Sequence, residues 1–86
     1  MARFRKKPVV IEAKQLPFPD GRDPEWLWAS PNIIVKREAG WIVEAIISTL
    51  EGTMQANGDD WIIRGIKGEL YPCKADIFAA TYEPAE

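Results

Sequence analysis

The sequence contains no histidine and only one cysteine, Cys73, in 86 residues. Without histidine, no side chain has an ordinary pKa near neutrality, so the usual proton shuttle is missing. Ser-His-Asp and Cys-His arrangements are excluded outright. A single cysteine closes no intrachain disulfide, and with no histidine to complete it a multi-cysteine zinc site is excluded too. No apolar run reaches the length of a membrane span. There is no P-loop and no dinucleotide glycine fingerprint. No internal repeat and no low-complexity linker occurs. The N-terminal cations lack the apolar stretch and small-residue cleavage site of a signal peptide. These absences lead us to expect a cytoplasmic protein that is not an enzyme and carries no cofactor, its lone thiol suited to a reducing compartment.

The length fits one domain over residues 1–86. A chain this short buries a modest core, so self-association is expected to supplement it. The charges come to 11 Lys and Arg against 13 Asp and Glu, a net charge of −2. That balance argues against sequence-blind coating of DNA. The positive charge is uneven: Arg3, Arg5, Lys6 and Lys7 form a basic arm over Met1–Lys7. It reads as a solvated terminus or as an arm that reaches a phosphate.

The rest is β-rich. In Pro8–Leu16, Val9, Ile11 and Ala13 alternate with Val10, Glu12 and Lys14, the period of a half-buried strand. Pro17–Arg22 is a turn region with an Asp-Gly pair. Asp23-Pro24-Glu25 predicts a helix start, with Asp23 as the cap and Pro24 at the first helical position. The helix carries Trp26-Leu27-Trp28-Ala29 and stops at Ser30-Pro31-Asn32. Its tryptophans seal the core, or one meets a subunit interface or a ligand ring. Ile33–Glu38 predicts a strand, and Ala39-Gly40 a turn. Trp41–Leu50 fits helix or strand by periodicity, but its β-branched residues favour strand. Glu51-Gly52 turns the chain into a short strand at Thr53–Ala56. Asn57-Gly58 offers positive-φ positions for the next reversal.

The organising stretch is Gly58–Tyr82. Trp61–Ile66 predicts a strand with Trp61, Ile63 and Gly65 on one face and Ile62, Arg64 and Ile66 on the other. Arg64 reads as an edge arginine, paired with Glu44 or Glu69, or as a phosphate fork. Gly65 marks a bulge or a close approach. Lys67-Gly68 turns the chain, Leu70–Lys74 returns antiparallel with Pro72 at an edge, and Ala75–Ala80 forms a short helix capped by Asp76. Thr81–Pro84 is read as a last short strand. The fold class expected is α+β, mainly antiparallel β, as a small curved sheet or partly open barrel with one or two short helices.

Asp59 and Asp60 face apart on a strand and are expected to cap a turn rather than share a metal or proton. Lys74 beside Cys73 hints at a lowered thiol pKa, although sequence neighbours on a strand also face apart. Binding chemistry is better supplied. Arg64, Lys67 and Lys74 fall close together if the 61–74 hairpin forms, with Trp61 and Tyr71 interleaved. Trp26, Trp28 and Trp41 add further flat faces, and stacking of a base on such rings is worth about 1–3 kcal/mol. Tryptophan and arginine equally dominate protein–protein hot spots.

The words GDDWIIRGIKGELYPCKADIF, TLEGTMQA and RFRKKPVVIEAKQ resemble a small family of phage and prophage proteins. The match covers both ends and most of the second half. Pro17–Val43 is unmatched, and the doubled Asp59-Asp60 departs from the family's Gly-Asp-Trp in a way that shifts the turn. The resemblance implies a virus-encoded accessory protein in the host cytoplasm, similar to the sponge proteins that bind cyclic nucleotide immune signals at subunit interfaces. On that reading Arg64, Lys67 and Lys74 hold phosphates, Trp61 and Tyr71 wall the base, Trp41 or Trp28 comes from a neighbour, and the assembly is a homo-oligomer. The alternatives are a module that caps a host protein and, less favoured by the charge balance, a nucleic-acid accessory protein using the basic arm.

Overall fold

The computed structural model describes residues 2–3 and 9–84. The fold is α+β and mostly antiparallel: seven strands in two sheets, with two short helices among the described residues. The sheets do not close into a barrel. One sheet orders β1 (Glu12–Gln15), β6 (Trp61–Arg64) and β7 (Leu70–Cys73). In the other, β4 (Trp41–Thr49) pairs with β3 (Ile33–Glu38), with β2 (Phe18–Pro19) and with β5 (Gly52–Ala56). Helix α1 (Glu25–Ala29) precedes β3, and α2 (Ala75–Thr81) follows β7.

The core lies between the sheets. Ile62 and Leu70 of the first sheet meet Ile33, Ile42, Ala45, Ile47 and Ala56 of the second, with Leu16, Phe18 and Leu27 filling in from the connections and α1. The opposite face of the first sheet is covered by α2, where Phe78 stacks on Trp61. Strand β4 explains the ambiguous periodicity of its sequence. Lys36 faces Glu44 but Arg37 faces Ile42, so Val43 is an extra residue. This bulge resets the alternation and buries both Ile42 and Ala45, three positions apart.

The β3–β4 turn holds Ala39 at φ 49° and Gly40 at φ 84°. Two positive φ values suit the right-handed twist of a hairpin, but an L side chain at the first of them is strained. Ala39→Gly is expected to stabilise the fold by about 0.5–1 kcal/mol, read as a raised midpoint in denaturant.

Several boundaries differ from the sequence reading, each for a local reason. The first strand begins at Glu12 rather than Pro8, because β6 offers only four ladder partners; Pro8 and most of the basic arm lie outside the described residues. Pro24, in extended geometry, occupies the N-cap position of α1, and the helix begins at Glu25. The Asp23 carboxylate does not cap it; it accepts the Gly21 N–H at 3.0 Å and the Trp28 indole N–H instead. Likewise Lys74 is the N-cap residue of α2, and Asp76 sits in the first turn, accepting the Ile77 N–H at 2.9 Å. The expected final strand at 81–84 does not form. Thr81 completes α2, and Tyr82 closes it by donating its N–H to the Phe78 carbonyl at 2.9 Å.

Positive φ in the 57–60 turn falls on Asp59, at 72°, not on Gly58. Asp60 donates its N–H to the Asn57 carbonyl at 3.0 Å and takes the Asn57 N–H on its carboxylate, also at 3.0 Å. Asp59 is thereby left at the one position needing left-handed backbone, which aspartate tolerates better than most residues.

Candidate functional site

A cleft of about 750 Å³ opens where the β4–β5 turn approaches the β6–β7 turn. That volume falls within the range of small-ligand sites. Ile47, Met54 and Leu70 give it apolar lining, and Tyr71, Lys67 and the carboxylates Glu51 and Glu69 also line it. A second groove of about 530 Å³ runs between β5 and the start of α2, with Pro72, Cys73, Lys74 and Ile77 on the far side. Met54 lines both.

The hairpin expected over 61–74 does form, with Trp61 opposite Cys73 and Arg64 opposite Leu70. That register separates the cations rather than gathering them. Arg64 ends β6 beside the turn, whereas Lys74 lies past Cys73 at the other end, about 13 Å away at 3.3 Å per residue. Arg64 is bound within the chain: it donates to Glu12, its cross-strand partner, at 2.7 Å. The partners expected from sequence, Glu44 and Glu69, are not the ones used. Lys74 donates to Asp60 at 3.4 Å.

The aromatics divide in the same way. Trp61 lies face to face with Phe78, centroids 4.0 Å apart and planes within 6°. One face of its ring is therefore taken by the chain's own helix. Trp41 begins β4 opposite Pro19 and Glu38, while the first cleft adjoins the other end of that strand, about 27 Å away at 3.3 Å per residue. Trp28 projects from α1 beneath the Arg37 guanidinium, 5.5 Å from the ring centre. Of the seven residues expected to share a ligand, the first cleft brings together only Lys67 and Tyr71.

Burial raises the Tyr71 hydroxyl to about 12, helped by its hydrogen bond with Tyr82 and by the negative charges of Tyr82, Glu69 and Cys73 when ionised. The folded chain holds this proton after an unfolded tyrosine has begun to lose it near pH 10. The stability linked to Tyr71 is therefore fully present below pH 10 and lost between pH 10 and 12. Absorbance at 295 nm is expected to show one of the two tyrosines titrating near pH 12. Tyr71→Phe should remove that step and flatten the loss of thermal stability above pH 10.

Cys73 reverses the expectation from its neighbour Lys74. Burial and then the carboxylates Asp60 and Asp76 push its thiol up. Lys74 does not activate it, because its ammonium is directed to Asp60. With a protonated thiol and no imidazole, the second groove offers no prepared nucleophile.

Three features escaped the sequence reading. Asp60 is almost fully buried, at 6% exposure, and fastens the 57–60 turn to α2 through Asn57 and Lys74. The expectation of a turn cap in the Asp pair describes this residue, but its burial left no local signal. The partner of Trp61, Phe78, lies a strand and a turn further on. Around Trp28, Asp20 and Arg37 pair at 3.0 Å across 17 positions of sequence. No protein-family model, curated protein or solved structure matches the chain.

Proposed function

We propose that the chain is a non-catalytic module that binds another protein. The observation carrying this reading is the setting of Trp28. It is 42% exposed, yet fixed by the Asp23 carboxylate at its indole N–H and by Arg37 over its ring. A large ring held in place before binding loses little rotamer entropy on contact, which is the requirement of an interface anchor. Trp41, 47% exposed at the start of β4, adds a second exposed ring, on the β3–β4 hairpin that also carries Arg37. Affinity capture from cell lysate, followed by cross-linking and mass spectrometry, tests the reading. One stoichiometric protein retained by the wild type and lost by the folded Trp28→Ala/Trp41→Ala variant is expected. Equal retention by both would overturn it.

A second reading follows from the phage-family resemblance: a virus-encoded, oligomeric sponge for a cyclic nucleotide signal in the host cytoplasm. The presence of Lys67 and Tyr71 in one cleft of about 750 Å³ favours it. Charge weighs against it, since Glu51 and Glu69 share that cleft with a single lysine and would repel a phosphate. Calorimetric titration with cyclic dinucleotides and cyclic ADP-ribose isomers distinguishes the readings. Micromolar binding that disappears in Lys67→Ala would establish the sponge. Arg64→Ala is not expected to matter to either reading, because that guanidinium is occupied by Glu12.

A further inference from the structure

The five edge strands among the described residues are not protected equally. β1 carries Glu12 and Lys14, β2 carries Pro19, β3 carries Lys36, Arg37 and Glu38, and β7 carries Pro72. Charges and proline are the usual means of keeping an edge from pairing with other chains. β5, with the sequence GTMQA, has neither.

The ladder fixes which of its backbone groups are free. Ser48 donates its N–H to Asn32 at 2.9 Å, so the backbone groups of Ser48 point towards β3 and those of Ile47 towards β5. Ile47 faces Met54. By alternation, Met54 bonds to β4, while the N–H and C=O of Thr53 and Gln55 point away from it. Among the described residues no strand pairs with them there. Thr53, Met54 and Gln55 instead line the 530 Å³ groove, opposite Pro72, Cys73, Lys74 and Ile77.

We propose that this groove takes an extended peptide segment of a partner protein, added as a strand to β5. The proposal rests on the protein-binding reading above and gives it a second, separate contact. Strand addition draws affinity from main-chain hydrogen bonds and specificity from pockets for alternate side chains. Thr53 and Gln55 supply the first; Met54, Pro72 and Ile77, the last 55% exposed, supply the apolar second. The charge of the groove selects the occupant. Its ionisable pair, Lys74 and Asp60, is already joined at 3.4 Å, so the segment that fits is uncharged. A single strand also fits better than the edge of a second copy, because each copy would bring its own β7–α2 wall against the other's.

The test uses the full chain and a displayed library of uncharged, proline-free heptapeptides, the tightest of which is synthesised. Gln55→Pro removes an outward N–H without touching the β4 ladder, a position where an edge strand accepts proline. It is expected to leave the melting curve near that of the wild type and to weaken the peptide about 10-fold or more, as is Ile77→Asp. In the wild type, peptide is expected to slow exchange of the Thr53 and Gln55 amides, a readout that holds if Gln55→Pro misfolds. The proposal is overturned if no peptide is enriched, if Gln55→Pro and Ile77→Asp bind unchanged, or if those amides are unaffected. It is also overturned if β5 forms a dimer of this chain that Gln55→Pro dissolves. A peptide lost only with Trp28→Ala/Trp41→Ala overturns this site and leaves the protein-binding reading standing.

Discussion

Leu27→Ala is expected to destabilise the protein by about 2–5 kcal/mol, the range for removing a fully buried leucine. Helix α1 spans only five residues, and Leu27 is the one it buries, with no exposed surface left. So short a helix has little stability of its own, so it persists through packing. Leu27 sits in the core among Leu16, Phe18 and Ile42, and its removal leaves a cavity and loosens the helix together. A domain of this size has a total stability of about 5–15 kcal/mol. The melting temperature should therefore fall by about 10 °C or more. Trp28→Ala, one position further along the same helix, should cost about 1 kcal/mol or less, because its ring is exposed and its partners are surface groups. Thermal melts of the two variants check the contrast; similar losses would contradict the placement of α1.

Trp61→Ala is expected to cost about 2–4 kcal/mol, below the full range for a buried tryptophan because the residue is only half-buried. Its larger consequence is local. α2 buries none of its residues, so it is held mainly by Phe78 stacked on Trp61, with the Tyr82 ring tilted against Phe78 at 5.0 Å. Removing the platform should free the helix. Hydrogen exchange should then show the α2 amides exchanging quickly while β6 stays protected. The Tyr71 titration should also move down from about 12, since Tyr82 leaves with the helix. Trp61→Phe keeps a flat face and should retain most of the docking. A stable Trp61→Ala protein with protected α2 amides would return this ring to the pool of ligand contacts.

The difference between these two residues shows what was legible in the sequence. The α+β class and β3 were legible residue by residue, because a β-branched run ends at Ala39-Gly40, a pair able to make a hairpin turn. Strand β4 was legible in type but not in phase; nothing local says that Val43 is the residue left out of the ladder. The site was legible least. Arg64 finds Glu12 across 52 positions, and Cys73 is governed by burial and then by Asp60 and Asp76 from other elements, rather than by adjacent Lys74. Proximity in sequence put three cations and two rings on one hairpin. The antiparallel register then spread them along its length, and four of them have partners within the chain: Glu12 for Arg64, Asp60 for Lys74, Phe78 for Trp61 and Tyr82 for Tyr71.

The central claim is that the chain binds protein through rings set in advance, without transforming a ligand. It is tested most directly by capturing the partner with wild-type chain and with Trp28→Ala/Trp41→Ala, alongside calorimetry of the wild type with the cyclic nucleotide panel. The account expects one stoichiometric protein on the wild type, none on the variant, and no heat from the nucleotides. Micromolar nucleotide binding abolished by Lys67→Ala, with protein capture indifferent to the tryptophans, would contradict it.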